Sequence, residues 1–265
     1  MAVVGDVFGL NTVYEKQVEN VDNNNFASWP ELSLYGYYAG GYSTFPNYHS
    51  TIIRLDFSNE ITSNPGNNLP AVTSVQGGLF NSSYGYFGGG YSAPAVYISN
   101  ITRLDFSNET VSSPGNNLPA NRGYLSTVQT NSYGYFAGGY APGTINTISR
   151  LDLSSETVSD PGNNLNVSRY FSGAVSGSSY GYILGSYHPP AQSTIERLDF
   201  SSETVSSPGN NLPASRGGMG SVWNSAYGYV AGGGLPTVST VTRLDFSSET
   251  ISNPGKNLPS AWRDL

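Results

Sequence analysis

The chain has no cysteine, two histidines, two methionines and only 11% charged residues in a length of 265. Without thiols it forms neither disulfides nor thiolate metal sites, so packing and hydrogen bonds must hold it together. His49 and His188 are too few and too scattered to build a zinc site. Lysine and arginine number 11 against 18 acidic residues, leaving a net charge of -7 and no basic run. That balance excludes a surface that tracks nucleic-acid phosphates. No apolar stretch reaches membrane-span length, so membrane insertion is not expected. The start, MAVVGDVFGLNTVYEKQ, lacks the basic end and long apolar run of a signal peptide. Also missing are a Gly-x-Ser-x-Gly elbow, a phosphate loop and a dinucleotide fingerprint, so neither enzymatic chemistry nor a cofactor is expected.

What the chain does have is Gly 32, Tyr 20 and Pro 16, with abundant Ser and Asn. This composition points to short strands joined by tight turns, and aromatics at 13% argue for a packed chain. One phrase recurs five times: RLDFSNEITSNPGNNLP at Arg54, RLDFSNETVSSPGNNLP at Arg103, and close copies at Arg150, Arg197 and Arg243. A second landmark, YGY, begins at Tyr35, Tyr84, Tyr133, Tyr180 and Tyr227. Both recur every 46 to 49 residues, a period typical of propellers and related arrays.

The third copy divides by its turns into four strands. RGYLSTVQT (Arg122–Thr130) alternates, YGYFAGGY (Tyr133–Tyr140) is aromatic and ends in two glycines, and TISRLDL (Thr147–Leu153) alternates strictly. TVSD then runs into a PG stop. Four strands with short connections make one up-and-down sheet, a propeller blade. Such a sheet buries both faces only by stacking on its neighbours, and the glycine pair suits close approach between blades. The fold expected is therefore all-β: a five-bladed β-propeller of four-stranded blades over residues 30–265, preceded by a short N-terminal extension, 1–29. The first blade begins near Phe26, although FASWPELSL does not match RGYLSTVQT. The tail SAWRDL (Ser260–Leu265) resembles the start of another inner strand, which suggests that it pairs into the first blade and latches the ring.

The order YFAGGY, RLDFSNET, NLPANRG resembles the kelch repeat: an apolar run closed by a double glycine, an aromatic–Asp strand and turn, then Pro and Arg leading to the next blade. The resemblance covers Tyr35 to about Pro259, with Ser186 replacing the second glycine in the fourth copy. Repeats of this regularity are also similar to those in structural proteins of marine tailed bacteriophages. That resemblance implies a virion protein, in the tail or on the particle surface, attached to other virion proteins through residues 1–29. It leaves oligomeric state open, multimers being common among such appendages.

Arg103, Asp105 and Glu109 with their counterparts invite a catalytic reading, since paired carboxylates hydrolyse glycosides. A group repeated five times is instead expected to be scaffold, with Arg103 pairing to Asp105 or to the next blade and Asp105 accepting turn N–H groups. Arg122, Arg169 and Arg216 are expected to form hydrogen bonds between blades. The PGNN turn needs Gly for a positive φ. No residue is assigned a catalytic or metal-binding role.

Function should then lie where the copies differ. The segment after the glycine pair is YSTFPNYHS, YSAPAVYISN, YAPGTIN, YHPPAQS and GLPTVS in the successive copies. All five join the same two strands and so emerge on one face, where loops on a rigid scaffold usually carry recognition. The candidate ligand-binding residues are Tyr42, Phe45, Tyr48, Tyr91, Tyr97, Tyr140, Tyr187 and His188. Aromatic faces stack on sugar rings or partner side chains; local packing that stiffens the loops is the competing reading. The functional expectation is a non-enzymatic virion adhesion protein whose propeller binds a host-surface glycan, a receptor or another virion protein. The alternative is a soluble kelch-like adaptor for a protein partner.

Overall fold

The alternation in the repeats becomes backbone pairing throughout. The computed structural model describes residues 35–43, 47–92, 96–188 and 190–264. The N-terminal extension 1–29, the FASWPELSL segment and Phe45 lie outside the described residues. Among the described residues every regular element is a β-strand, and no helix is long and apolar enough to cross a membrane.

Each repeat folds into its own antiparallel meander. In the third, Ser126–Gln129, Tyr133–Ala137, Ile148–Asp152 and Val158–Ser159 pair in sequence order. The second (Gly77–Phe80 to Val111–Ser112), fourth (Gly173–Ser176 to Val205–Ser206) and fifth (Gly220–Trp223 to Ile251–Ser252) repeat this four-stranded order. Three strands of the first repeat are described: Tyr35–Ala39, Ile52–Asp56 and Thr62–Ser63. The inner strand of the third repeat is shorter than its alternation suggested. Tyr124 adopts φ 57 and sends its N–H to Val75 O of the preceding repeat, so pairing within the sheet begins only at Ser126.

Successive side chains point to opposite faces of a strand, and here both faces meet another sheet. In YGYFG of the second repeat, Phe87 packs with Tyr37 and Ile52 of the first repeat, while Tyr86 packs with Phe136 and Leu151 of the third. Four such apolar clusters join repeats one to two, two to three, three to four and four to five. Burying each large side chain contributes about 1.5–3 kcal/mol, so the junctions carry most of the stability. The glycine of YGY is a socket in these junctions. A Cβ on Gly134, Gly181 or Gly228 would lie 2.4–2.5 Å from Leu79, Val128 or Val175 of the repeat before it. The first glycine of the pair is equally constrained: Gly138 has φ +64, and its Cβ would fall 2.4 Å from Arg169 O.

The repeated charges are scaffold. Arg54, Arg103, Arg150 and Arg197 pair with Glu109, Glu156, Glu203 and Glu249 of the next repeat at 2.7–3.0 Å. Each of these carboxylates also accepts a tyrosine hydroxyl from the same neighbour, as in Tyr86 to Glu156 at 2.9 Å. Asp152 accepts the N–H groups of Ser154 and Ser155 in the turn, and those bonds hold its carboxyl down at about 2. The turn glycines adopt positive φ, as at Gly115 (φ 89).

Arg122 is 1% exposed and rivets two repeats. Its backbone N–H donates to Ile98 O and its carbonyl accepts from Gly90, both in the second repeat. Its guanidinium enters the third, donating to Gly138 O (3.1 Å), Thr147 O (2.9 Å) and Ser149 Oγ (2.7 Å). Arg169 and Arg216 do the same one and two repeats on. Trp262 takes this place at the end of the chain: its N–H donates to Val238 O and its carbonyl accepts from Gly233. Among the described residues the backbone hydrogen bonds of the tail therefore go to the fifth repeat, since backbone at this position pairs with the repeat preceding it, and the Arg263 side chain reaches Tyr187 of the fourth. The inner segment of the first blade, into which the tail is expected to pair, lies outside the described residues.

Candidate functional site

The divergent loops begin where the glycine pair ends the second strand of each sheet. In the first three repeats the loop turns straight back, placing Tyr42 opposite Tyr48, Tyr91 opposite Tyr97 and Tyr140 opposite Thr144. These small hairpins stand side by side, and their rings touch. Centroids follow one another from Tyr42 to Tyr48 (6.2 Å), Tyr91 (5.8 Å), Tyr97 (5.0 Å), Tyr140 (5.7 Å), Tyr170 (5.3 Å) and Tyr187 (6.3 Å). Tilted and edge-on geometry prevails, as the ring quadrupoles prefer. One string of tyrosines thus crosses four repeats.

The string borders a hollow of about 1120 Å³ lined by residues of all five repeats. Tyr42, Tyr97, Tyr140 and Tyr187 face it at the rim, and Ser126, Gln129, Ser172 and Ser221 line it near the inner strands. Below the rim runs a ladder of backbone bonds, one residue per repeat. Tyr124 donates to Val75 O, Phe171 to Tyr124 O, Gly218 to Phe171 O and Asp264 to Gly218 O, at 2.7–3.1 Å. All five residues have φ between 53 and 66. Left-handed backbone is costly for bulky residues and tends to collect at binding sites, where the surroundings enforce it. Here Val75, Tyr124, Phe171 and Asp264 line the hollow.

Six of the candidate residues therefore join one surface: Tyr42, Tyr48, Tyr91, Tyr97, Tyr140 and Tyr187. Tyr42 remains 50% exposed and the others are half-buried. These tyrosines stiffen the loops by touching one another, and Tyr42, Tyr97, Tyr140 and Tyr187 also line the hollow. His188 lies at the flank, with Nδ1 2.9 Å from Thr144 Oγ1, tying the fourth loop to the third. Phe45 lies outside the described residues.

Loop divergence overlooked Tyr124, Tyr170 and Phe171. They sit in the conserved-looking lead-in to the inner strand, one or two places after the rivet arginines Arg122 and Arg169. Aromatics at that offset in two copies, against Val75 and Gly218 in two others, were the available signal. The Tyr124 and Phe171 rings meet at a tilt of 42°, centroids 4.7 Å apart. Burial pushes its hydroxyl up to about 12 and raises those of Tyr97 and Tyr170 as well. At neutral pH these phenols stay protonated and serve as donors and acceptors rather than bases. At the fifth repeat the string stops: Gly234 stands where the tyrosines stand, and Arg263 reaches Tyr187 Oη from Nη1 at 3.3 Å. The site offers ring edges, hydroxyls and amides, with Arg263 and Asp264 beside them, around a concave hollow. No protein-family model matches the chain, and no curated protein shows significant similarity to it.

Proposed function

We propose that the five sheets are the blades of a five-bladed, kelch-like propeller that acts as an adhesion module, holding a surface glycan in its tyrosine-bordered hollow. The observation that carries this reading is the unbroken ring-to-ring string from Tyr42 to Tyr187 at the mouth of one concavity. The scaffold charges are consumed at the junctions, so tyrosines, serines and glutamines are most of the polar side chains that line the hollow, with Arg263 and Asp264 among the rest. Sugars are bound by this combination, aromatic contact beneath and hydroxyl or amide hydrogen bonds around. The setting in a phage particle, with residues 1–29 docking to another virion protein, rests on the resemblance of the repeats to marine phage structural proteins.

A glycan array followed by calorimetry on each bound sugar tests the module. Tyr97→Ala and Tyr140→Ala should each weaken binding by about 5–30-fold, the 1–2 kcal/mol expected of a central aromatic contact. An empty array, or variants that bind like the parent, would remove the glycan reading. Capture of a protein partner on the same face would put the adaptor in its place.

A further inference from the structure

The two ends of the array are halves of a contact that the molecule makes four times within itself. At each internal junction the earlier repeat supplies an arginine and a tyrosine hydroxyl, and the later one a glutamate that receives both. The earlier repeat also supplies an apolar residue of the inner strand: Leu79, Val128 and Val175 are each 1% exposed or less. Their counterpart in the fifth repeat, Val222, is 58% exposed. Tyr229 is only half-buried where Tyr37, Tyr86, Tyr135 and Tyr182 are buried. Among the described residues Arg243 has Tyr227 and Ser252 of its own sheet as partners, and no carboxylate. At the other end Phe57 is 43% and Ile61 61% exposed. Glu60 is exposed too, yet it adopts φ 60, the same left-handed turn as its four paired counterparts (φ 54–57).

We propose that the fifth repeat docks on the first repeat of the same chain, with Arg243 and Lys256 facing Glu60. Lys256 is the distinguishing residue. It replaces the PGNN asparagine that elsewhere donates to the carbonyl of the next repeat's glutamate, as Asn67 does to Glu109 O at 2.8 Å and Asn210 to Glu249 O at 2.8 Å. A second cation stands only at the end that faces Glu60, so charge marks this seam apart from the four neutral-amide ones. The occupant is the chain's own first repeat because Tyr38 and Ile53 of the first repeat and Ser221 and Trp223 of the fifth line the same hollow. Both ends thus already stand around one axis. The latch rests on the five-bladed reading and is independent of what the hollow binds.

The absence of native cysteine makes the test clean. Glu60→Cys/Arg243→Cys is treated with a short bismaleimide, beside Arg150→Cys/Glu203→Cys, which spans an internal junction of the same kind. Tethered groups meet at an effective concentration near the millimolar range. At about 1 µM protein the end pair should therefore give at least ~10-fold more cross-linked monomer than dimer, matching the control. Cross-linking of the control alone, or a dimer whose yield rises with protein concentration, would overturn the latch, the second outcome assigning the seam to another copy. Failure of both pairs in protein with a parent-like circular dichroism spectrum would overturn the five-bladed arrangement itself. As a second measurement, Glu60→Arg and Arg243→Glu should each lower the melting temperature in low salt, and the double variant should recover most of the loss. Non-recovery counts against the pairing.

Discussion

A buried guanidinium without a carboxylate beside it is an uncommon choice, and among the described residues this chain makes it twice. The Nη groups of Arg122 and Arg216 donate to carbonyl oxygens and to Ser149 or Thr242, while each Nε is buried without a partner among the described residues; burial brings Arg122 down to about 10 and so leaves it charged at neutral pH. Among the described residues only the fourth repeat adds an acid: Glu196, 3% exposed, lies 3.3 Å from Arg169. Burial raises the Glu196 carboxyl against the opposing pull of Arg169. A carboxyl raised in the folded state contributes stability that is fully present below its unfolded value and is lost as pH rises through the folded one, so at neutral pH its ionised form is a cost. We therefore expect Glu196→Thr, the residue type of the second and fifth repeats, to change stability by no more than about 1 kcal/mol. Arg122→Met, which strands the carbonyls of Gly138 and Thr147, should cost about 2–4 kcal/mol. Urea denaturation of the two variants checks both. The recurrence of Arg122 was legible in the sequence. Its separate attachments, backbone to one repeat and side chain to the next, were not, because they depend on where two sheets meet.

At the scale of the element, punctuation residues decide where strands stop. Gly138 needs both a left-handed backbone and room for a neighbouring carbonyl, whereas Gly162 in the turn has φ +85 and nothing within 4 Å of its Cβ position. Gly138→Ala should thus destabilise by about 2–4 kcal/mol through overlap with Arg169 O. Gly162→Ala, with conformational strain alone, should cost about 1 kcal/mol. Thermal melts of the pair separate crowding from strain. Ser186 illustrates the same logic: it stands in the second glycine's place, and there the strand runs on to 186 across a bulge while its hydroxyl donates to Tyr170 O. Strand order and turn positions were readable from alternation, PG and GG. The left-handed turn at Tyr124 was not, since nothing local demands it; a hydrogen bond to the preceding repeat does.

For the whole molecule, stability is a sum over junctions between repeats. The tail completes the fifth repeat by occupying the place that the next repeat's lead-in takes elsewhere. Deleting residues 260–265 removes the bonds Trp262 to Val238 O (3.2 Å), Gly233 to Trp262 O (2.8 Å) and Asp264 to Gly218 O (2.9 Å). The expected loss is about 1–3 kcal/mol, read as a lower melting temperature; an unchanged curve would show that the tail carries no such role.

The all-β class, the repeat boundaries, the scaffold role of the recurring charges and the position of the variable loops could be read before any fold was known. Each of these follows from periodicity, which acts along the chain. It took the stacking of sheets to show that tyrosines from four separate loops touch in one string, that Tyr124, Tyr170 and Phe171 join them, and that, among the described residues, Arg243 at one end and Glu60 at the other lack the partners their counterparts have. The links that cross from one repeat to the next join residues distant in sequence, and their geometry is set by how sheets stack, a quantity that no local pattern encodes.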